Sequence, residues 1–168
     1  MIAVVNASPL IYLGKAGLLN LLQVLFDDAV VSRQVEQEVL DSSYSEYVSL
    51  KSAFDDWLNI TETELTDEFQ KLSNFGLHIG EVHTLALALQ LRKQKKESVV
   101  VIDDLAARDV ARTLDLAVTG TIGIILQARK QGRISTKKAL STVEFLVQET
   151  TFRMSTKLYS QVLSEIEG

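Results

Sequence analysis

Short apolar runs alternate with longer stretches whose apolar residues recur at helical spacing, and this alternation organises the whole chain. Residues 2–5, Ile-Ala-Val-Val, form a continuous apolar run rich in branched side chains, as expected of a strand covered on both faces of a parallel sheet. The run ends at Asn6. Ser8 before Pro9 predicts an N-cap followed by proline at the first helical position, where the missing N–H costs nothing. Gly17 interrupts that helix, and Leu18, Leu19, Leu21, Leu22 and Leu25 carry a broad apolar stripe toward a short strand at 29–31. Ser32 predicts the cap of a helix running to Leu40, and Val48, Phe54, Trp57 and Leu58 predict an amphipathic helix over 45–58. A strand near 59–61 and a more polar helix over 65–75 follow.

From Gly80 the apolar positions thicken. Val82, Leu85, Ala86 and Leu89 share one helical face, while Leu87, Ala88 and Leu91 make the remainder apolar too, so this helix is predicted to be packed on several sides. Lys93, Lys95 and Lys96 complement its C-terminal dipole, and residues 99–102 form the next buried strand, stopping at Asp103-Asp104. Ala107, Val110, Ala111 and Leu114 predict a helix, 116–118 a short strand, and 121–131 a helix closed by Gly132. Two further helices, over 135–147 and 155–166, each begin at a capping serine. The rhythm predicts an α/β fold of three layers, α/β/α, around a central parallel sheet, with residues 133–168 as a helical C-terminal extension of a single domain spanning 1–168.

Length agrees with that reading, since a prior of roughly 150 residues per domain assigns one core to 168 residues. The chain has no cysteine, which excludes disulfide scaffolds, cysteine metal sites and thiol nucleophiles and suits a reducing cytoplasm. Its N-terminus lacks a basic leader, and Asn6, Ser8 and Pro9 break its apolar stretch, so it reads as mature sequence. No apolar run approaches the roughly 20 residues of a membrane span. A net charge of -5 argues against a wholly basic nucleic-acid-coating protein and confines phosphate contacts to local basic segments such as 92–96 and 129–138.

In parallel sheets, ligands bind beyond the carboxyl ends of the strands. Polar residues gather at three such ends: Asn6 with Ser8, Asp103 with Asp104, and Thr119 with Thr121. Glu81 adds an acid at the opening turn of the most apolar helix. Each has an ordinary structural explanation, because Glu81 favours a helix dipole, an aspartate caps a helix, Asn6 closes a turn and Thr121 could cap the helix that follows. Jointly, acids and amides on one edge suit a hard divalent cation, and Mg²⁺ or Mn²⁺ bound by oxygens serves phosphodiester hydrolysis. His78 and His83, five residues apart, fall on different sides of a helix and do not form a ligand pair.

The segments VVNASPLIYLGKAGLLNLL, GEVHTLALAL, VVIDDLAARDVARTLDL and VTGTIGIILQARKQG follow one another in an order and spacing that resembles a branch of the PIN-domain (PilT N-terminus) superfamily. The likeness covers nearly the whole chain. It implies a small ribonuclease dependent on Mg²⁺ or Mn²⁺, in many members the toxin of a toxin–antitoxin pair, with RNA as substrate, an antitoxin protein as partner and a homodimer as assembly. It further implies that Asn6 stands at the first acidic position, Glu81 at the second and Asp104, with Asp103 beside it, at the third, with Thr121 near the variable fourth. Glu81 and Asp104 are then the expected catalytic residues, Asn6, Glu81, Asp103 and Asp104 the metal ligands, and Ser8, Thr119 and Thr121 the support for metal or water. An amide at position 6 can ligate a metal but brings no negative charge. The alternative is therefore a PIN-fold module with impaired catalysis that binds RNA or a protein. A phospho-accepting receiver domain, also doubly wound, would carry its acidic pair after the first strand, where Asn6 stands.

Overall fold

The computed structural model describes residues Met1–Gly168. Five strands, β1 (Ile2–Val5), β2 (Asp28–Ser32), β3 (Asn59–Thr61), β4 (Ser98–Val101) and β5 (Val118–Thr119), form one sheet in the order β3-β2-β1-β4-β5. Every pairing is parallel. The helices are α1 (Ala7–Lys15), α2 (Leu21–Leu25), α3 (Arg33–Val39), α4 (Tyr47–Asp56), α5 (Asp67–Ser73), α6 (Ile79–Lys93), α7 (Leu105–Thr113), α8 (Thr121–Lys130), α9 (Thr136–Glu149) and α10 (Thr156–Glu167).

Successive strand residues point to opposite faces, so the three layers can be read from side-chain parity. Ala3, Val5, Ala29, Val31 and Val101 join Leu10, Leu13, Leu22, Val35, Leu50 and Ile124 in one core, which packs α1 to α4 and α8 on the sheet. Val4, Val30, Val100 and Ile102 face the other way, onto Phe69, Leu72, Leu85, Leu87 and Ala107 of α5, α6 and α7. α6 is buried at Val82 and along 84–89, as its apolar circumference predicts. A third cluster, Ile125 of α8 with Ala139, Val143, Leu146, Phe152, Val162 and Ile166, attaches the C-terminal helices to the outside of α8. Tyr12 anchors this extension to α1, meeting the Phe152 ring edge-on at 5.1 Å and hydrogen-bonding through its hydroxyl to Thr151 Oγ1 at 3.0 Å.

Several boundaries differ from those expected. α1 starts at Ala7 with Asn6 as its N-cap residue, which places Ser8 and Pro9 inside the first turn, where backbone N–H groups lack helical partners and proline is equally tolerated. α8 starts at Thr121, so this threonine is the first helical residue and Gly120 the cap. β5 lies one to two residues later than predicted, because the pairing runs from Val100 N–H to Ala117 O and from Ile102 N–H to Thr119 O. Val48, expected on the apolar face of α4, is 75% exposed, and Leu50 and Ala53 carry that face instead. Gly17, at φ +69°, ends the first helical turn region as predicted, a left-handed position that suits glycine.

Leu85 is completely buried at the junction of α6 with the sheet. Leu85→Ala is expected to cost about 2–5 kcal/mol, the range for a large core residue cut to alanine, measurable as a lower urea midpoint with an unchanged slope.

Candidate active site

The chain runs outward from β1 through β2 to β3, then crosses back to place β4 on the other side of β1. The connection therefore changes direction between β1 and β4, the switch point where a crevice opens beyond the strand ends. The register is tight there: Val5 pairs with Val101, and the Asn6 N–H donates to Val101 O at 3.0 Å. Asn6 thus stands beside the exit of β4 that leads to Asp103 and Asp104.

Asn6 does not cap α1 with its side chain. Its amide is buried and turned onto α6, where Thr84 Oγ1 lies 3.1 Å from Asn6 Oδ1 and 2.8 Å from Gly80 O. That contact brings the first turn of α6 against the end of β1. The turn is closed by a capping box: Gly80 N–H donates to His78 Nδ1 at 3.3 Å, and His78 N–H donates to Glu81 Oε2 at 3.0 Å. Burial pushes the Glu81 carboxyl above the usual carboxylate range. The His78 N–H opposes that rise, Asp104 adds to it by charge repulsion, the His78 ring opposes it, and Glu38 adds to it. Asp104 and Glu38 therefore both lie within electrostatic reach of Glu81.

Glu38, on α3, is the member that sequence reasoning missed. Its carboxylate occupies the space a side chain at Gly80 would need, with Oε2 2.6 Å and Oε1 2.7 Å from the position of a Cβ there. Gln34 Nε2 donates to Glu38 Oε1 at 3.2 Å, and His78 Nδ1 lies 3.8 Å from the same oxygen. A signal was present: Glu38 falls between Val35 and Val39, the two buried residues of α3, an acid on an apolar face like Glu81 on α6. The glycine that admits it lies forty-two residues downstream, so the partnership is visible only in three dimensions.

The two aspartates after β4 have different tasks. Asp103 accepts from Thr121 N–H and from the Thr121 hydroxyl, both at 2.7 Å, and so caps α8 across the sheet edge. Burial raises its carboxyl above the ordinary range, against the two Thr121 donors and the nearby Arg108 charge. Asp104 is exposed and caps its own helix, accepting from Ala107 N–H at 2.9 Å through Oδ1. Thr119 packs its hydroxyl against Gly123, where a Cβ would fall 2.0 Å from Oγ1, and Ser8 lies half-buried in the first turn of α1. Asn6, Glu38, Glu81 and Asp104 thus form one neighbourhood, and Asp103, Thr119 and Thr121 an adjoining one. His83 belongs to neither, packing edge-on against Phe69 at 4.9 Å, with burial lowering its proton affinity.

The donor set of the first neighbourhood is hard oxygen throughout, carboxylates and an amide, which suits Mg²⁺ or Mn²⁺ and gives no preference to softer metals. The Gly80 cradle, open only because that residue has no Cβ, holds the Glu38 carboxylate toward it. As the side chains stand, no three acidic or histidine groups are close enough together to enclose an ion. Such a cation would retain several waters between itself and these groups, as magnesium commonly does.

A family model described as a PIN domain matches residues 2–168. No curated protein and no solved structure matches the chain. No helix is long and apolar enough to cross a membrane.

The raised Glu81 carboxyl yields a pH test. Its folded form holds the proton more tightly than the unfolded chain, so its contribution to stability is fully present below the ordinary carboxylate pKa and is lost as pH rises through the raised value. In metal-free buffer, wild type should therefore gain stability relative to Glu81→Gln as pH falls from about 7 to about 4.5. Urea midpoints of both proteins at the two pH values check this; a difference that stays constant would remove the perturbation.

Proposed function

The chain belongs to the PIN-domain family, and on that premise we propose that it is a metal-dependent ribonuclease in which Glu81, Asp104 and Glu38 hold Mg²⁺ or Mn²⁺ at the β1–β4 edge. The observation that carries this reading is the half-buried Glu81 carboxyl at the switch point, with Asp104 at the start of α7 and Glu38 on α3 both within its electrostatic reach. Folding gathers like charges only where another interaction offsets them, and a divalent cation does so. When bound, that cation would polarise the phosphate, lower the pKa of an attacking water and stabilise the departing oxygen.

The chain's own residues divide the remaining work. Glu81, with its proton affinity raised by burial, is suited to accept a proton from water. Asp104 has only Oδ1 committed to its cap, leaving the other oxygen for the site. Thr84, whose hydroxyl lies 3.1 Å from Asn6 Oδ1 and 2.8 Å from Gly80 O, holds the Asn6 amide against the first turn of α6 at the border of the site. Asp103, held by Thr121, contributes by fixing α8 and adds negative charge at the second rank of the site. Thr119 and Ser8 supply hydroxyls for ordered water. A toxin role in the cytoplasm, with an antitoxin partner and a homodimeric assembly, is part of the same reading and rests on family membership.

One observation favours the second reading, a module that binds RNA or protein without cleaving it. Asn6 is buried, bonded to Thr84 and uncharged, where the resemblance expects an acid.

Cleavage of a labelled single-stranded RNA in the presence of Mn²⁺ separates the two. Wild type should cut, Glu81→Gln should lose roughly 10²-fold or more of the rate, and Asn6→Asp should bind Mn²⁺ more tightly by calorimetry and cut faster. RNA binding without metal-dependent cleavage in wild type would favour the binding module. Gly80→Ala provides an independent check, because its Cβ would displace the Glu38 carboxylate from its cradle. It should weaken Mn²⁺ binding while thermal stability holds or rises by up to about 1 kcal/mol, the helix-propensity gain of alanine over glycine.

A further inference from the structure

Arg108 stands at this sheet edge beside Asp103 without closing a salt bridge on it. Arg108 lies one turn into α7, its N–H bonded to the Asp104 carbonyl at 3.0 Å. Its guanidinium leans over Gly120, where a Cβ would meet Arg108 Nη1 at 3.2 Å and Asp103 Oδ1 at 2.8 Å, so only glycine leaves room for both groups. Arg108 forms none of the protein's salt bridges, and its Nε is buried with no hydrogen-bond partner. Asp103 feels its charge, yet both Asp103 oxygens already accept from Thr121. Arg33, by contrast, closes its fork on Glu36 and Glu62. Arg108 instead lines an open groove of about 940 Å³ that runs from Asp103, Thr119 and Gly120 to the start of α10.

The groove offers a strand two arginines, Arg108 and Arg153, against two acids, Asp103 and Glu165, with apolar side chains between them. Leu105 and Leu158, 74% and 45% exposed, form apolar walls along which base faces can lie. Arg153 lines the far side, its Nη1 held by the Thr150 and Phe152 carbonyls and its other nitrogens uncommitted. In a chain of net charge -5, phosphates approaching the carboxylates meet repulsion, and a fixed cation beside them offsets it. We propose that Arg108 binds a backbone phosphate of the RNA strand, seating it in the groove between α7 and α10 with its path directed to the β1–β4 edge. This rests on the ribonuclease reading for the identity of the strand.

The test is binding of a short fluorescein-labelled single-stranded RNA in EDTA, where no cleavage occurs, followed by anisotropy across a salt series. Arg108→Ala should weaken binding and reduce the slope of log affinity against log salt by about 0.7, the value of one single-strand phosphate contact. Arg108→Lys should restore the slope but not the full affinity, since it keeps the charge and loses the fork. Arg108→Gln, closer in size, repeats the measurement if the alanine variant does not fold. Lys51→Ala, an exposed charge on α4 outside the groove, should leave the slope at the wild-type value. A lower melting temperature with an unchanged slope in Arg108→Ala and Arg108→Gln would make the residue structural and overturn the proposal, as would the unaltered RNA binding expected if the groove serves a protein partner. Failure of wild type to bind RNA overturns both the phosphate contact and the RNA reading. Loss of slope in Arg108→Ala alongside a wild type that never cleaves with Mn²⁺ upholds the phosphate contact and removes only the nuclease.

Discussion

Parallel pairing of β1 with β4 is the constraint on which the rest of the molecule depends, because it is the only place where strands separated by the full outward run of the chain become neighbours. Four residue pairs in register, extended by the Asn6 N–H to Val101, bring two polar strand ends to the same level of the sheet. A slip of one residue would turn Val4 and Val100 away from α6 and expose the apolar faces on both sides. Register here is therefore imposed by two cores at once, and the site inherits its geometry from them.

Above that edge the protein treats its charges in two ways. Asp103 accepts two donors from Thr121 and feels the charge of Arg108, and in exchange it fastens α8 to the end of β4. Glu38 and Asp104 are brought within electrostatic reach of Glu81 and oppose its charge, though less than burial does, with His78 Nδ1 lying 3.8 Å from Glu38. The contrast distinguishes a carboxylate that holds the fold together from carboxylates whose proximity costs stability. Two glycines make both arrangements possible, Gly120 by admitting Asp103 beside Arg108 and Gly80 by admitting Glu38 beneath the first turn of α6.

The C-terminal helices add a wall to the outside of α8. Ile125 on the outer face of α8 draws α9 and α10 into a third core, and Tyr12 fastens the linking segment to α1. The groove beside α10 exists because that core covers one end of α8 while Leu105 and Arg108 of α7 remain in the open. The carboxylate edge and the apolar groove thus share Asp103, Thr119 and Gly120 as a common border.

Short strands rich in branched apolar residues and helices with wide apolar stripes are decided by local periodicity, so the sequence by itself determined the parallel α/β/α layering, the element order and the polar stops at Asn6, Asp103 and Thr119. Its serine caps at Ser32, Ser135 and Ser155 were legible for the same reason, since a cap acts within three residues. Where a polar side chain had a choice of partner, sequence was insufficient. Asn6 turned to Thr84 rather than to its own helix, Thr121 became a donor to Asp103 rather than a cap, and Glu38 found Gly80. Those contacts join residues 18 to 78 positions apart, and their outcome depends on which helix the sheet register brings within about 3 Å of each oxygen. That distance is a property of the packed layers and appears only once the tertiary structure has formed.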